Sequence, residues 1–295
     1  MKSGYVSIVG RPNVGKSTLL NSILETKLAI TSNKAGTTRN IIQGVYEDES
    51  SQIVFVDTPG IHKPINKLGN ILNKKAYSTS DNVDLILFLV DVEAGIGKGD
   101  MFVLDRIKEE KLPIILVLNK VDRIPKDKLL EIIMKYKDLH DFCEIFPISA
   151  LKNDNIDALI KTIKNYLPNE GKIFEDDTFT NISTNFYISE IVREKVLRKT
   201  RQEVPHSVTC LVEKKVEEKD KVIIQATIIV DRESIKKIIV GKNAGMLKEI
   251  GIEARCDLEE YFERKVYLEL FVKVIKNWRD KEKYLKELGL DELDN

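Results

Sequence analysis

The chain is short of every feature that would give it a covalent, metal-built or membrane-borne scaffold. It has three cysteines, Cys143, Cys210 and Cys256, with no C-x-x-C pair. That argues against a disulfide framework or a cysteine metal site and leaves three reduced thiols as the expectation. No apolar run approaches the roughly 20 residues that a membrane-crossing helix needs. Neither charge is in excess: 47 basic residues balance 47 acidic ones. Any nucleic-acid site must therefore be local, because bulk charge will not supply it. The opening MKSGYVSIVG already reads as a strand, which leaves no room for a secretory leader and makes a cytoplasmic protein the expectation. Internal repeats and low-complexity segments are missing too. What remains is a chain of 295 residues, 42% hydrophobic and 32% charged, long enough for two domains with separate cores.

The first half alternates strand-like and helix-like segments. Tyr5–Gly10, Ser51–Asp57, Asp84–Asp91 and Pro113–Asn119 are apolar runs of strand length, as expected of parallel strands buried on both faces. Helical stretches fall between them at Asp100–Glu110 and Lys126–His140, and Ile156–Tyr166 closes the unit. The alternation predicts an α/β domain with a mostly parallel sheet over residues 1–168. Proline, glycine and acidic residues make 169–178 a linker. Residues 179–295 change order to a helix (Phe186–Thr200), strands Ser207–Val216 and Lys221–Val230, helices Glu233–Val240 and Met246–Phe262, and a strand Lys265–Ile275. That α-β-β-α-α-β order predicts a separate α+β domain.

Four short words stand in the first half in functional order. GRPNVGKS, from Gly10 to Ser17, matches G-x-x-x-x-G-K-[ST] between a strand and a helix. Backbone N–H groups of Asn13, Val14, Gly15 and Lys16 can wrap a phosphate, while Arg11 and Pro12 complete the loop and Thr18 follows it. Lys16 supplies charge to the β- and γ-phosphates, and the Ser17 hydroxyl suits Mg²⁺. DTPG follows a strand: Asp57 would reach Mg²⁺ through water, Thr58 and Pro59 shape the turn, and the Gly60 N–H would sense the γ-phosphate. NKVD selects guanine, because the Asp122 carboxylate can accept from N1–H and the exocyclic amine, which adenine does not offer. Asn119 braces the loops and can reach N7, the Lys120 stem can pack over the base, and Ser149-Ala150-Leu151 would present the Ala150 N–H to guanine O6. The polar loop Asn33–Asn40 can close over the γ-phosphate, with Thr38 preferred to Thr37 as a Mg²⁺ ligand. Lys16, Thr38 and Gly60 are the expected catalytic contributors.

A residue that should follow DxxG is absent. In Ras-like proteins a glutamine orients the attacking water; here Ile61 stands there, and hydrolysis is expected to be slow.

In the second half, the stretch from Ser234 to Lys248 holds Lys236, Lys237, Lys242 and Lys248 and no acid. Around the loop Gly241-Lys242-Asn243-Ala244-Gly245, these side chains can grip a nucleic-acid backbone. Ile238, Ile239 and Val240 are expected to line a cleft for bases. The order of elements is similar to a type II KH domain.

Nearly end to end, the chain resembles the Era family of bacterial GTPases of small-subunit assembly. The resemblance rests on GRPNVGKSTLLN, AGTTRN, DTPGIH, NKVD, SAL, VPHSV, IIVDRESIKKIIVGKNAGMLKEIGIEAR and VYLELFVKV. It implies a P-loop GTPase domain followed by a type II KH domain, with GTP/GDP and Mg²⁺ as cofactors. It implies binding to the 3′ end of small-subunit ribosomal RNA and to the 30S subunit, as a monomer, with peripheral association at the inner face of the cell membrane. Asn13 falls where relatives that use K⁺ carry asparagine, and a hydrophobic residue at Ile61 fits the family. One departure is visible: Ala244 takes the place of the second glycine of G-x-x-G. Rival expectations are covalent modification of RNA, a constitutive RNA-binding module, and membrane or cell-cycle signalling.

Overall fold

The computed structural model describes residues 1–32, 34, 37–60, 68–72, 83–175, 179–200 and 204–287. Ile61 and the loop residues Asn33, Ala35 and Gly36 lie outside the described residues.

The first unit runs β1 (Lys2–Val9), α1 (Lys16–Ile23), β2 (Ile42–Asp48), β3 (Ser51–Asp57), β4 (Leu85–Asp91), α2 (Lys98–Ile107), β5 (Ile114–Asn119), α3 (Lys126–Lys137), β6 (Glu144–Ile148) and α4 (Ile156–Lys164). Its sheet has the order β2-β3-β1-β4-β5-β6. All pairings are parallel except β2 with β3. Every residue of β3, β4 and β5 is buried, which explains their unbroken apolar runs: both faces of the sheet are covered. Parallel strands bring their carboxyl ends to one edge, and loops for ligands gather there. The four motif loops leave β1, β3, β5 and β6 at that edge.

The antiparallel edge strand β2 escapes the apolar-run reading. Its sequence IQGVYED mixes apolar and polar residues because only one side needs covering.

The second unit runs α5 (Thr184–Lys199), α6 (Val204–Ser207), β7 (Val208–Glu217), β8 (Lys221–Val230), α7 (Glu233–Val240), α8 (Gly245–Phe262), β9 (Lys265–Val274) and α9 (Glu282–Glu287). β8 lies between β7, antiparallel to it, and β9, parallel to it. α5 starts at a capped end, where Ser183 Oγ accepts from the Phe186 N–H at 3.2 Å. One sheet face packs Val222, Ile224, Ala226 and Ile228 against α5, α7 and α8.

The units share apolar contacts. Ile30, from the first unit, is buried in the second unit's core. At the far side of the second sheet, helical residues 68–72 of the first unit put Leu68, Ile71 and Leu72 against Ile229, Trp278 and Leu285.

Candidate functional site

The loop Gly10–Ser17 is shaped by its glycines. Gly15 has φ 104°, and a Cβ there would lie 2.3 Å from Asn119 Nδ2. At Gly10 a Cβ would meet the Leu89 carbonyl at 2.4 Å. Both positions therefore exclude side chains before any ligand is considered. Lys16 is nearly buried, and its ammonium donates to the carbonyls of Gly10 and Arg11 at 3.0 and 3.1 Å. Burial pushes it down to about 8, against the pull of Asp57.

Ser17, Thr38 and Asp57 converge. Ser17 Oγ donates to Asp57 Oδ2 at 2.7 Å, and the Ser17 and Thr38 hydroxyls are 2.9 Å apart. Thr38, not Thr37, is the threonine at this point; the Thr37 hydroxyl turns away to the Lys34 carbonyl at 2.6 Å. Asp57 is fully buried, and its Oδ1 has no hydrogen-bond partner among the described residues. Burial pushes the carboxyl up to about 6, although Lys16 and the two hydroxyls pull it down. An orphaned carboxylate oxygen beside two hydroxyls is a hard-oxygen donor set, the chemistry that Mg²⁺ takes. A bound divalent cation would favour the ionised form of Asp57.

Gly60 rests on the phosphate loop, where a Cβ would come within 2.9 Å of Pro12 Cγ. Thr58 is structural: its hydroxyl donates to the Ile8 carbonyl at 3.0 Å.

At the base end, Asn119 is the brace. Its Nδ2 donates to the Val14 carbonyl at 2.8 Å, and its Oδ1 accepts from the N–H groups of Lys120 and Ala150 at 2.8 and 3.0 Å. The Ala150 N–H, expected to face guanine, is thus held by Asn119 here. Lys120 Nζ bonds Asp91 and the Asn13 carbonyl, which stretches its stem across the loop. Asp122 is exposed, with Oδ1 fixed by the Ser149 hydroxyl at 2.6 Å. That leaves a carboxylate of set orientation for a pair of donors.

A cavity of about 440 Å³ opens over the phosphate loop, lined among others by Asn13, Lys16, Ser17, Thr18, Thr38 and Lys120; Asp57, Asn119, Asp122 and Ala150 border it without lining it. Two further expected members stand outside this lining. Val14 is buried in the core, and the Arg11 guanidinium points to Asp100, with Nε 3.1 Å from its Oδ1. Leu151 stands exposed outside the lining.

The second unit meets the loop that carries Thr38. Arg193 Nη2 donates to the Thr37 carbonyl. The buried Arg39 donates to the Val208 carbonyl at 2.8 Å, with its guanidinium 5.6 Å from the Trp278 ring centroid. Glu194, buried on α5, accepts from the Thr31 N–H at 2.9 Å and from Lys27 Nζ at 2.6 Å. Burial alone would raise Glu194; Lys27, the Thr31 N–H and Arg198 more than reverse that, so it lies below the usual carboxylate range.

The nucleic-acid expectation needs a correction. Ile239 is fully buried in the second core and cannot line a cleft, whereas Ile238 is half exposed and Val240 partly so. On a helix whose i and i+4 positions face the sheet, Ile235 and Ile239 belong inside. The groove that exists, about 340 Å³, lies between α8 and β9. Its apolar lining includes Leu247, Leu268 and Leu270, with Lys248 and Arg255 at its sides. Leu247, Gly251, Ile252 and Arg255 follow Ala244 at helical spacing. That signal was present in the sequence, but it reads equally as a core face. Gly241, Asn243 and Ala244 all have positive φ, at 72°, 50° and 58°. Gly245 begins α8 with ordinary helical angles. Ala244 therefore occupies the left-handed position that glycine would favour. Lys236 is partly buried, and Lys242 and Lys248 are exposed around this loop.

Two family models match: a 50S ribosome-binding GTPase over residues 5–120 and a KH domain over 203–279. Among solved structures, the chain is similar to Era in complex with MgGDPNP and nucleotides 1506–1542 of 16S ribosomal RNA. Identity is 43%, covering 98% of this chain and 99% of that one, with a TM-score of 0.95. It is equally similar to a tyrosine-to-alanine variant of Aquifex aeolicus Era bound to GDP·AlF4⁻, at 43% identity, the same coverages and a TM-score of 0.94. With a P-loop GTPase domain, a KH domain and this likeness along nearly its whole length, the chain belongs to the Era family of GTPases.

Proposed function

We propose that the protein is a GTP-hydrolysing switch that binds the 3′ end of small-subunit ribosomal RNA and assists maturation of the 30S subunit. One observation carries this reading: Thr38, at the metal-binding cluster, is flanked by Thr37 and Arg39, both gripped by the RNA-binding domain. The likeness to 50S ribosome-binding GTPases covers the first domain alone; the relative that shares both domains holds 16S RNA.

Bound nucleotide would lie with its phosphates on the N–H groups of Asn13–Lys16 and its guanine on Asp122. Ser17, Thr38 and Asp57 would hold Mg²⁺, which supplies positive charge to the β- and γ-phosphates. Lys16 adds a second charge at the same place. With Ile61 in place of a glutamine, no side chain at that position orients water, and intrinsic turnover is slow. Asn13 is the residue we assign to K⁺. Exchanging K⁺ for Na⁺ at constant ionic strength should slow turnover, and an Asn13→Ala variant should lose that response.

A γ-phosphate that fixes Thr38 also fixes Arg39 and the Thr37 carbonyl, and so biases the second domain. Such couplings are typically about 1–3 kcal/mol and reciprocal. The groove between α8 and β9 suits exposed bases of single-stranded RNA, with Lys242 and Lys248 on the backbone. Any association with the cell membrane would be peripheral, since no described helix is long and apolar enough to cross a bilayer.

The test is fluorescence anisotropy of a labelled oligomer from the 16S 3′ end, with GDP, with a non-hydrolysable GTP analogue and with no nucleotide. Tighter binding with the analogue is expected. Equal affinity in all three states refutes the switch.

A further inference from the structure

The nucleotide cavity is not closed by the GTPase domain alone. Its lining includes Arg198, from the last turn of α5 in the RNA-binding domain. That lining carries five cations, Lys16, Lys34, Lys120, Arg123 and Arg198, and no carboxylate among the described residues. It is a receptor for an anion, and one of its five charges belongs to the other domain.

Arg198 is held in place. Its Nη2 donates to Thr31 Oγ1 at 3.2 Å and to Glu194 Oε1 at 3.0 Å. The same Glu194 oxygen accepts the Thr31 N–H. Glu194 is one helical turn from Arg198 and fully buried, so the guanidinium is set by a rigid element and not by a loose surface contact. Nη1 and Nε have no acceptor among the described residues, and the side chain is 48% exposed. An arginine fork has five donors, and a phosphate accepts in pairs.

We propose that Arg198 is a nucleotide-binding residue supplied by the RNA-binding domain, with its unused N–H groups directed at the phosphate chain of the guanine nucleotide. The proposal rests on reading this cavity as the guanine-nucleotide site. It makes nucleotide affinity depend on domain docking through a direct contact, in addition to the loop that carries Thr38.

The experiment is calorimetry on the full-length protein with GDP and with a non-hydrolysable GTP analogue, and displacement of labelled GDP by guanosine, which has no phosphate. Arg198→Ala should weaken GDP and the analogue about tenfold, the effect of losing one charge-assisted hydrogen bond at a partly wetted site. Guanosine should displace label from wild type and variant with the same intrinsic affinity. The salt dependence of GDP binding should flatten, and Arg198→Lys should recover part of the loss. Thr31→Val removes the hydroxyl that Arg198 braces. A bracing role alone would give Thr31→Val the same loss, with no further loss on adding Arg198→Ala. That result, an equal loss for guanosine, or unchanged GDP affinity in a folded Arg198→Ala variant overturns the proposal. If the wild-type protein binds no GDP, the reading of the cavity fails instead, which is a distinct outcome.

Discussion

The proposed nucleotide site and the proposed RNA groove are built on opposite plans. Around the nucleotide, polar groups are buried and already bonded to one another: Ser17 to Asp57, Asn119 to Val14, Lys120 and Ala150. Around the RNA groove, the cations Lys242, Lys248 and Arg255 are exposed, and the apolar floor is shallow. A buried, bonded site loses nearly everything when one member is replaced, because its partners are left unpaired. An exposed, additive site loses a little at each replacement. Discrimination among bases goes with the bonded plan, where the exposed Asp122 is fixed by Ser149, and tolerance of a moving, flexible strand with the second.

The comparison breaks most sharply at Asp122. Asp122→Asn should reduce GTP affinity by roughly 10³-fold or more and raise that for xanthosine nucleotides, as titrations with both would show. A change of only a few-fold would mean that the base is not read by this carboxylate. Next in size is the seam between the plans. Glu194→Gln removes one of the two carboxylates that hold Lys27, the other being Asp257, and should cost about 2 kcal/mol, visible as a lowered first melting transition. The same seam gives a pH dependence with a definite sign. Glu194 holds its proton less firmly when folded, so its contribution is complete above about pH 4.5 and decays as pH falls through the depressed value. Lys27 is shifted upward, so its contribution is complete below 10.5 and is lost in more alkaline solution. Acid titration of wild type and Glu194→Gln should therefore converge at low pH.

On the RNA side the effects are smaller. Gly251 borders the groove, where a Cβ would be in ordinary contact with Leu270 at 3.5 Å. Gly251→Leu should fill the groove and weaken RNA binding roughly tenfold, about one base's worth of stacking, while GDP affinity stays unchanged. The smallest expected effect is a gain. Ala244 sits at φ 58°, and Ala244→Gly should relieve about 1 kcal/mol of left-handed strain, raising the melting midpoint by a few degrees.

These plans also explain what the sequence made legible. Gly10, Gly15, Asn119 and Asp122 each meet a demand that one residue type satisfies, so short words identify the nucleotide site. The unbroken apolar runs of β3, β4 and β5 did the same for the sheet. The RNA groove has no such words. Leu247 and Leu270 are apolar residues that a core would also use, and only packing decides that Ile239 points inward while Leu247 lines the groove. The contacts between units were invisible for a further reason. Lys27 and Glu194, or Arg39 and Trp278, are separated by most of the chain, and nothing local in their sequence announces a partner. β2 and residues 68–72 likewise take their shape from what they lie against.

Ile30 sets a threshold for movement. Any rearrangement that lifts the RNA-binding domain away must withdraw this side chain from an apolar socket into water. For one isoleucine that costs about 2 kcal/mol, or roughly a thirtyfold change in population. Small rocking motions leave the plug seated and gain nothing. The open and docked arrangements are therefore separated by a step, and the protein should respond to its nucleotide as a latch does, holding until the force is sufficient and then releasing at once.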